Sequence, residues 1–242
     1  MAAPGRFITF EGGEGAGKTT QVKRLGERLR VLGHDVLETR EPGGSPGAEA
    51  MRHLLLAGIA KPLGSDAEAM LFAAAREDHV TSVIRPALAG GAWVICDRFL
   101  DSTRVYQGVL GGVDERLVRA LERVTVGTTV PDLTFVLDVP PEVGLARAGK
   151  RGQGTDRFES EDLAYHERLR QAFRHIAENE PNRCILIDGT INADVLAVRI
   201  WMAVADRLLR KRAPAAAAAP AAKPIAAPTP APAPDPTGTV AG

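Results

Sequence analysis

The chain has no surplus charge of either sign: 30 Lys and Arg balance 30 Asp and Glu over 242 residues, for a formal net charge of zero. Nothing global therefore advertises a nucleic acid or a membrane surface as partner, and a site for polyanions must be a local basic cluster. Cysteine is scarce, with only Cys96 and Cys184, each in an apolar run. That argues against a disulfide framework and for reduced core thiols in the cytoplasm. No apolar run approaches membrane-spanning length, and Met1 to Arg6 lacks the apolar core of a signal peptide, so a soluble cytoplasmic protein is expected. The five histidines (His34, His53, His79, His166 and His175) show no metal-ligand spacing and read as surface or packing residues. No His–Asp or Ser–His spacing suggests a strong general base.

What is present begins near the N-terminus. Phe7-Ile8-Thr9-Phe10-Glu11 is a short apolar run that gives way to glycines, then to Lys18-Thr19-Thr20 and an amphipathic segment. The spacing matches the phosphate loop G-x-x-x-x-G-K-T, with Gly12, Gly17, Lys18 and Thr19 on its fixed positions. Its glycines let backbone N–H groups converge on anionic oxygens, where the helix N-terminus adds partial positive charge. Gly12, Gly13, Glu14, Gly15, Ala16, Gly17, Lys18, Thr19 and Thr20 are thus expected to surround the phosphates of a nucleoside triphosphate. Lys18 suits the β- and γ-phosphates, and the Thr19 hydroxyl suits a magnesium ion. A glycine-rich turn that merely joins strand to helix is the bland alternative, and the strand–loop–helix context speaks against it.

Taken in order, the chain alternates strands and helices. Gly17 to Leu32 reads as a helix with Val22, Leu25, Leu29 and Leu32 on one face, ended by Gly33. A short strand over Asp35 to Thr39 leads to the turn Arg40-Glu41-Pro42-Gly43-Gly44. Ser45-Pro46 then starts a helix that continues through Ala48 to Ala57. Ser65-Asp66-Ala67-Glu68 has capping-box spacing and predicts a helix past Val80, with Arg85-Pro86 kinking or dividing its far end. Trp93 to Cys96, Leu133 to Leu137 and Cys184 to Ile187 are continuously apolar strands, and helices are expected over Asp101–Val109, Asp114–Val126, Pro140–Ala148, Asp162–Asn179 and from Asn192 through Leu209. Short apolar strands between helices imply an α/β three-layer fold, a parallel β-sheet flanked by helices. Ligands in such folds bind beyond the carboxyl ends of the strands, where Glu11, Arg40, Asp97, Arg98 and Asp138 fall. From residue 213 to 242 the composition turns to Ala and Pro with almost no charge, predicting a disordered appendage to a domain over residues 1–212.

Three further stretches narrow the chemistry. Phe72 and Arg76 lie one turn apart on a helix face, where a ring beside a fixed guanidinium suits a planar base and its carbonyl; a core Phe and surface Arg is the plain alternative. The strand ending in Asp97 supplies the carboxylate that supports magnesium in phosphate-loop proteins, and Arg98 beside it suits a second phosphate group. The segment Arg147 to Glu159 is basic and glycine-containing, and its place between two helices suits a lid closing over triphosphate.

Together, FEGGEGAGKTT, TREPGG, LLFAAAREDH, CDRFLDSTRVYQG and RAGKRGQGTDRFE resemble the thymidylate kinase family, over Arg6 to about Arg210. The resemblance is to the bacterial sort, in which Gly15 stands where some relatives place an arginine and the lid supplies the catalytic arginine instead. It implies a P-loop NTPase fold of nucleoside monophosphate kinase type with a lid over about residues 149–158. It also implies transfer of the γ-phosphoryl group of ATP to dTMP for dTTP synthesis, with magnesium. Lys18, Arg98, Arg147, Arg151 and Arg157 would be catalytic, Arg147 also covering the adenine; whether Arg151 or Arg157 acts at the transition state is left open by the lid spacing. Thr19 and Asp97 would serve the metal. Phe72 would stack on thymine, Arg76 would bond its O4, Thr103 would approach N3, and Tyr106 would crowd the 2′ position. Glu14 would face the 3′-hydroxyl, Arg98 would clamp the acceptor phosphate, Glu41, Pro42, Ser102 and Gln107 would line the pocket, and Asp156 and Glu159 would return from the lid. A homodimer formed through helices is implied too, the Ala-rich face of Asp66 to Val83 being suited to close packing.

Two other classes compete. Another phosphate-loop nucleotide or deoxynucleoside kinase would differ only in acceptor. A switch or partitioning ATPase would hydrolyse without one, but no Asn-Lys-x-Asp guanine-reading stretch is present and a basic lid suits transfer.

Overall fold

The computed structural model describes residues 5–150, 158 and 160–209; residues 151–157 and 159 of the expected lid, and the Ala/Pro-rich tail, lie outside the described residues. Five strands, β1 (Arg6–Glu11), β2 (Val36–Arg40), β3 (Trp93–Asp97), β4 (Leu133–Asp138) and β5 (Cys184–Asp188), form one parallel sheet in the order β2-β3-β1-β4-β5. Every pairing is parallel, with Ile8 opposite Ile95 on one side and Leu133 on the other. Parallel strands need helical crossovers, and those helices cover both faces, which is why the strands are apolar throughout rather than alternating.

On one face, α1 (Lys18–Val31) and α9 (Ala193–Val204) bury Leu25, Leu29, Leu196 and Ile200 against Ile8, Phe10 and Phe135. Phe10 and Phe135 stack with centroids 5.2 Å apart, and full burial of each such ring contributes about 1.5–3 kcal/mol. On the other face, Phe7, Val94 and Cys96 pack with Ile84 and Phe99, while α8 (Leu163–Asn179) lays Leu169 and Phe173 over Val136. Both cysteines are buried and free. One polar pair interrupts the apolar interior: Thr9 and Thr134 share a hydrogen bond of 2.7 Å across β1 and β4.

The remaining helices are α2 (Pro46–Leu56), α3 (Ser65–His79), α4 (Arg85–Ala89), α5 (Leu100–Thr103), α6 (Glu115–Thr125) and α7 (Pro141–Gly149). Asp114, Asp162 and Asn192 cap α6, α8 and α9, their side chains accepting from the Arg116, Tyr165 and Asp194 amides. The capping box at Ser65 does not form. Gly64, at φ 87, takes the cap position after a 3₁₀ turn over Lys61–Leu63, so Ser65 already lies in the first turn and its hydroxyl has passed the place where a cap bonds. Between α3 and α4 the helix continues but widens to π geometry over Val80–Ile84; Pro86 lacks the N–H that an α turn would need there. The Ala-rich face is partly used within the chain itself: Ala69, Ala73 and Ala75 are buried, whereas Met70 and Ala74 point outward.

The strand order reverses around β1, which has β3 on one side and β4 on the other, so the loop after β1 emerges at the switch point where α/β folds bind ligands.

Candidate active site

That loop is bound tightly to its neighbours. Gly15 has φ 63, and a Cβ there would lie 1.9 Å from the Gly144 carbonyl oxygen at the start of α7. No side chain fits. The loop is therefore closed to a basic residue at this position for a steric reason, in addition to the conformational one. Lys18 folds back over the loop and donates to the carbonyls of Gly12 at 3.1 Å and Gly13 at 2.8 Å. Burial, and next the Arg98 charge, push its ammonium down to about 8, against Glu14, Asp97 and Glu11, which favour the charged form. Thr19, on the first turn of α1, donates from Oγ1 to Asp97 Oδ2 at 2.5 Å. A hydroxyl and a carboxylate side by side are hard oxygen donors suited to magnesium. Among the described residues no group of three His, Cys, Asp or Glu could hold a metal.

Arg98 is the organising side chain. It follows β3 with φ 68, and among the described residues it alone combines a side chain with a left-handed backbone. Its amide donates to the Phe10 carbonyl at 2.9 Å, locking the turn to the end of β1. Its Nη1 donates to the Gly12 carbonyl at 3.1 Å and Ser102 Oγ at 3.3 Å, and its Nη2 to Glu14 Oε1 at 2.6 Å. Tyr106 donates to the same Glu14 oxygen at 2.8 Å, and the guanidinium lies 5.1 Å from the Tyr106 ring centre. Burial would raise the Glu14 carboxyl, but Arg98 first, then Lys18 and the Tyr106 hydroxyl, outweigh it and hold the group at about 2. Glu14 is thus a firm anion and Arg98 a firm cation.

Glu11 holds this turn from behind. It is wholly buried at the end of β1 and accepts from the Phe99 amide at 2.8 Å, the Ser102 amide at 3.3 Å and Ser102 Oγ at 2.6 Å. Burial, reinforced by the nearby Asp101, pushes its carboxyl up to about 7 despite the Ser102 hydrogen bond. Asp101 is itself buried and ion-paired with Arg183 and Arg104.

These groups open into a cleft of about 640 Å³, a size usual for small-molecule sites. Residues 14–20 and Asp97 line it together with Glu41, Pro42, Phe72, Arg76, Arg98, Ser102, Thr103, Tyr106 and Gln107. Phe72 is half-buried, while Arg76 is almost wholly buried and paired with Glu41 at 2.7 Å. One cavity thus holds both the phosphate loop and the Phe72–Arg76 pair, and the stretch after β3 touches both: Arg98 donates to Gly12 and Glu14 of the loop, and the next residue, Phe99, accepts from Arg76.

The family model for thymidylate kinase matches residues 10–200. The chain belongs to the thymidylate kinase family. A protein named thymidylate kinase from Bradyrhizobium diazoefficiens is 60% identical over 207 residues, covering 85% of this chain and 91% of that one. Another of that name, from Rhodopseudomonas palustris, is 60% identical over 218 residues, covering 88% and 95%. The solved structure of thymidylate kinase from Ehrlichia chaffeensis superposes with a TM-score of 0.67 at 34% identity, covering 84% of this chain and 99% of that chain.

Of the residues that the thymidylate kinase resemblance singles out, the cleft brings together those on the phosphate loop, the turn after β2, the end of β3, α3, and α5 with the π-helical segment Arg104–Leu110 that continues it. Gly12 and Gly13 enter through the carbonyls that hold Lys18. Arg147 is elsewhere: it donates from α7 to the carbonyls of Gly189 at 2.9 Å and Thr190 at 3.2 Å, in the loop after β5. Arg151, Asp156, Arg157 and Glu159 lie outside the described residues. Glu11, placed by the sequence at a strand end without a role, supports the turn, and sequence reasoning gives no site role to Arg52 or His79. Arg52 lines the cleft and donates to the Pro42 carbonyl at 2.7 Å. His79, expected at the surface or in packing, is fully buried and bonded at both ring nitrogens, to Glu41 and Thr39. Its position one helical turn from Arg76 was the signal available.

Proposed function

We propose that this chain transfers the γ-phosphoryl group of ATP to dTMP, giving ADP and dTDP for dTTP synthesis. The single observation that carries the reading is one cleft lined by the Lys18 loop, Phe72 and Arg76, in which Arg98 is bonded to the loop and its neighbour Phe99 to Arg76. A deoxynucleoside acceptor would offer a hydroxyl there and call for a base; a monophosphate offers an oxyanion and calls for a cation, which Arg98 supplies. Family membership supports the same choice.

The acceptor is already a nucleophile, so the obstacle is repulsion between two polyanions. Lys18 and the amides at the start of α1 hold the donor phosphates. Arg98 holds the acceptor phosphate: its Nε has no partner among the described residues, so Nε and the second N–H of Nη2 are left for a ligand. Phe72 stacks on the base, Arg76 bonds its carbonyl, Thr103 approaches N3, and Tyr106, fixed by Glu14, closes the space beside the sugar. Ser102 and Gln107 line the pocket, with Glu41 and Pro42 behind Arg76. Thr19 and Asp97 would hold magnesium, which when bound neutralises charge on the β- and γ-phosphates. Arg147, Arg151 and Arg157 are assigned to the donor phosphates and transition state, and Asp156 to the acceptor side.

We further assign the catalytic domain to residues 1–212, with residues 213–242 as an appendage, and infer a cytoplasmic homodimer. A panel of nucleosides and monophosphates offered with magnesium and ATP tests the reading: dTMP should be the preferred acceptor, and thymidine should not be phosphorylated.

A further inference from the structure

Arg76 lines the cleft, yet only 4% of its side chain is exposed. Its Nε donates to Glu41 Oε2 at 2.7 Å, and its Nη2 donates to the Phe99 carbonyl at 3.1 Å. Its Nη1 has no partner among the described residues and is not among their enclosed unpaired atoms, so it is the part of the guanidinium open to a ligand. The chain of contacts continues behind Glu41. Its Oε1 accepts from His79 Nδ1 at 3.1 Å, and His79 Nε2 pairs with Thr39 Oγ1 at 2.7 Å. Arg76 and His79 are one turn apart on α3, which presents both to one carboxylate. Thr39 belongs to β2 and Glu41 to the turn after it. That turn is packed onto the imidazole: a Cβ at Gly44, whose φ is 88, would come within 2.4 Å of His79 Nε2.

We propose that Thr39, His79 and Glu41 form a positioning relay that holds Arg76 with Nη1, its one nitrogen lacking a partner among the described residues, turned to the acceptor base, and that the preference for a base carbonyl over an amino group depends on this relay. The inference rests on the dTMP reading of the cleft and deepens it.

Arginine can only donate. A carbonyl oxygen opposite Nη1 completes a charge-assisted hydrogen bond. An exocyclic amino group is itself a donor, so it would leave two buried donors facing each other, each unpaired. An unrestrained arginine would evade that conflict by swinging its long stem aside. With Nε held by Glu41 and Nη2 by Phe99, that escape is closed. Glu41 is held in its turn because each oxygen has its own donor; without His79, Oε1 would be buried and unpaired, and the carboxylate would shift with Arg76 attached. None of Thr39, His79 or Phe99 needs to touch the base for this to work.

The test uses the full chain, with dTMP and dCMP as alternative acceptors and ATP titrated separately. His79→Ala should raise the KM for dTMP by about tenfold, the scale of one charge-assisted hydrogen bond, and narrow the preference for dTMP over dCMP by a similar factor. The KM for ATP should stay where it was. His79→Asn, which restores an N–H near the place of Nδ1, should recover most of both effects. Thr39→Val keeps the side-chain shape and suits a strand; it should move selectivity the same way by about two- to fivefold. If His79→Ala does not fold, Thr39→Val decides alone. The relay is refuted if selectivity between dTMP and dCMP is unchanged in the folded variants. It is equally refuted if the dTMP and ATP constants rise together and His79→Asn gives no recovery, since that is the signature of general loosening. A wild-type protein with no preference for dTMP would instead overturn the functional reading itself, before any variant is considered.

Discussion

Arg98 Nη2 lies 2.6 Å from Glu14 Oε1, an ion pair that ties the residue after β3 to the middle of the phosphate loop. Tyr106 donates to the same oxygen, so the stretch after β3 meets the phosphate loop twice on one carboxylate. The phosphate loop and the turn after β3 are therefore locked to each other, and in the proposed reading this presents Arg98 to the acceptor phosphate as a preorganised cation.

Arg98→Ala should fold, because alanine at φ 68 carries the same backbone strain as arginine and the amide bond to Phe10 is retained. Turnover should fall by about 10³ or more, the scale of a lost phosphate-clamping arginine. Circular dichroism and steady-state rates check both halves; a folded variant with unchanged turnover would contradict the assignment.

Glu11 makes stability depend on pH in a defined direction. Its carboxyl is raised from 4.5 to about 7, so across that interval the folded protein holds a proton that the unfolded chain releases. The corresponding contribution to stability is fully present below pH 4.5 and is lost as pH rises through about 7. Glu11→Gln keeps an acceptor for the Phe99 amide and removes the titration. Urea unfolding across this range should show the variant gaining on the wild type as pH rises, then levelling off. A difference independent of pH would remove Glu11 from the account.

Gly15→Ala tests the steric argument at the phosphate loop. A methyl group 1.9 Å from the Gly144 carbonyl cannot be accommodated without moving the loop or α7. Stability should fall by about 2 kcal/mol or more, with ATP affinity falling alongside. Thermal melting and ATP titration are the measurements, and wild-type values in both would contradict the close approach.

Phe72→Ala separates acceptor binding from donor binding. Loss of base stacking is worth about 1–3 kcal/mol, so dTMP binding should weaken by about tenfold or more while ATP binding stays the same. Separate calorimetric titrations of each nucleotide decide it; equal losses would mean that Phe72 serves packing alone.

The fold was largely legible because its signals are local. Apolar strands, Pro46 and Pro141 at helix starts, and caps at Asp114, Asp162 and Asn192 are each readable within a few residues. Ser65 misled because the positive φ of Gly64 set the helix start, and a left-handed cap leaves a weaker sequence trace than a hydroxyl three residues before a glutamate. In the site, most residues that line the cleft fall within recognisable motifs, whereas the long-range partners that hold them do not announce themselves. Glu11 finds its donors 88 and 91 positions away, and His79 meets Glu41 across 38. Such partners are set by strand order and turn geometry, which no window of sequence contains.

The most direct test follows label from [γ-³²P]ATP with magnesium, in the presence and absence of dTMP. The account predicts label in dTDP, formed one for one with ADP, and little ADP when dTMP is withheld. Label released as inorganic phosphate at the same rate with or without dTMP would contradict it.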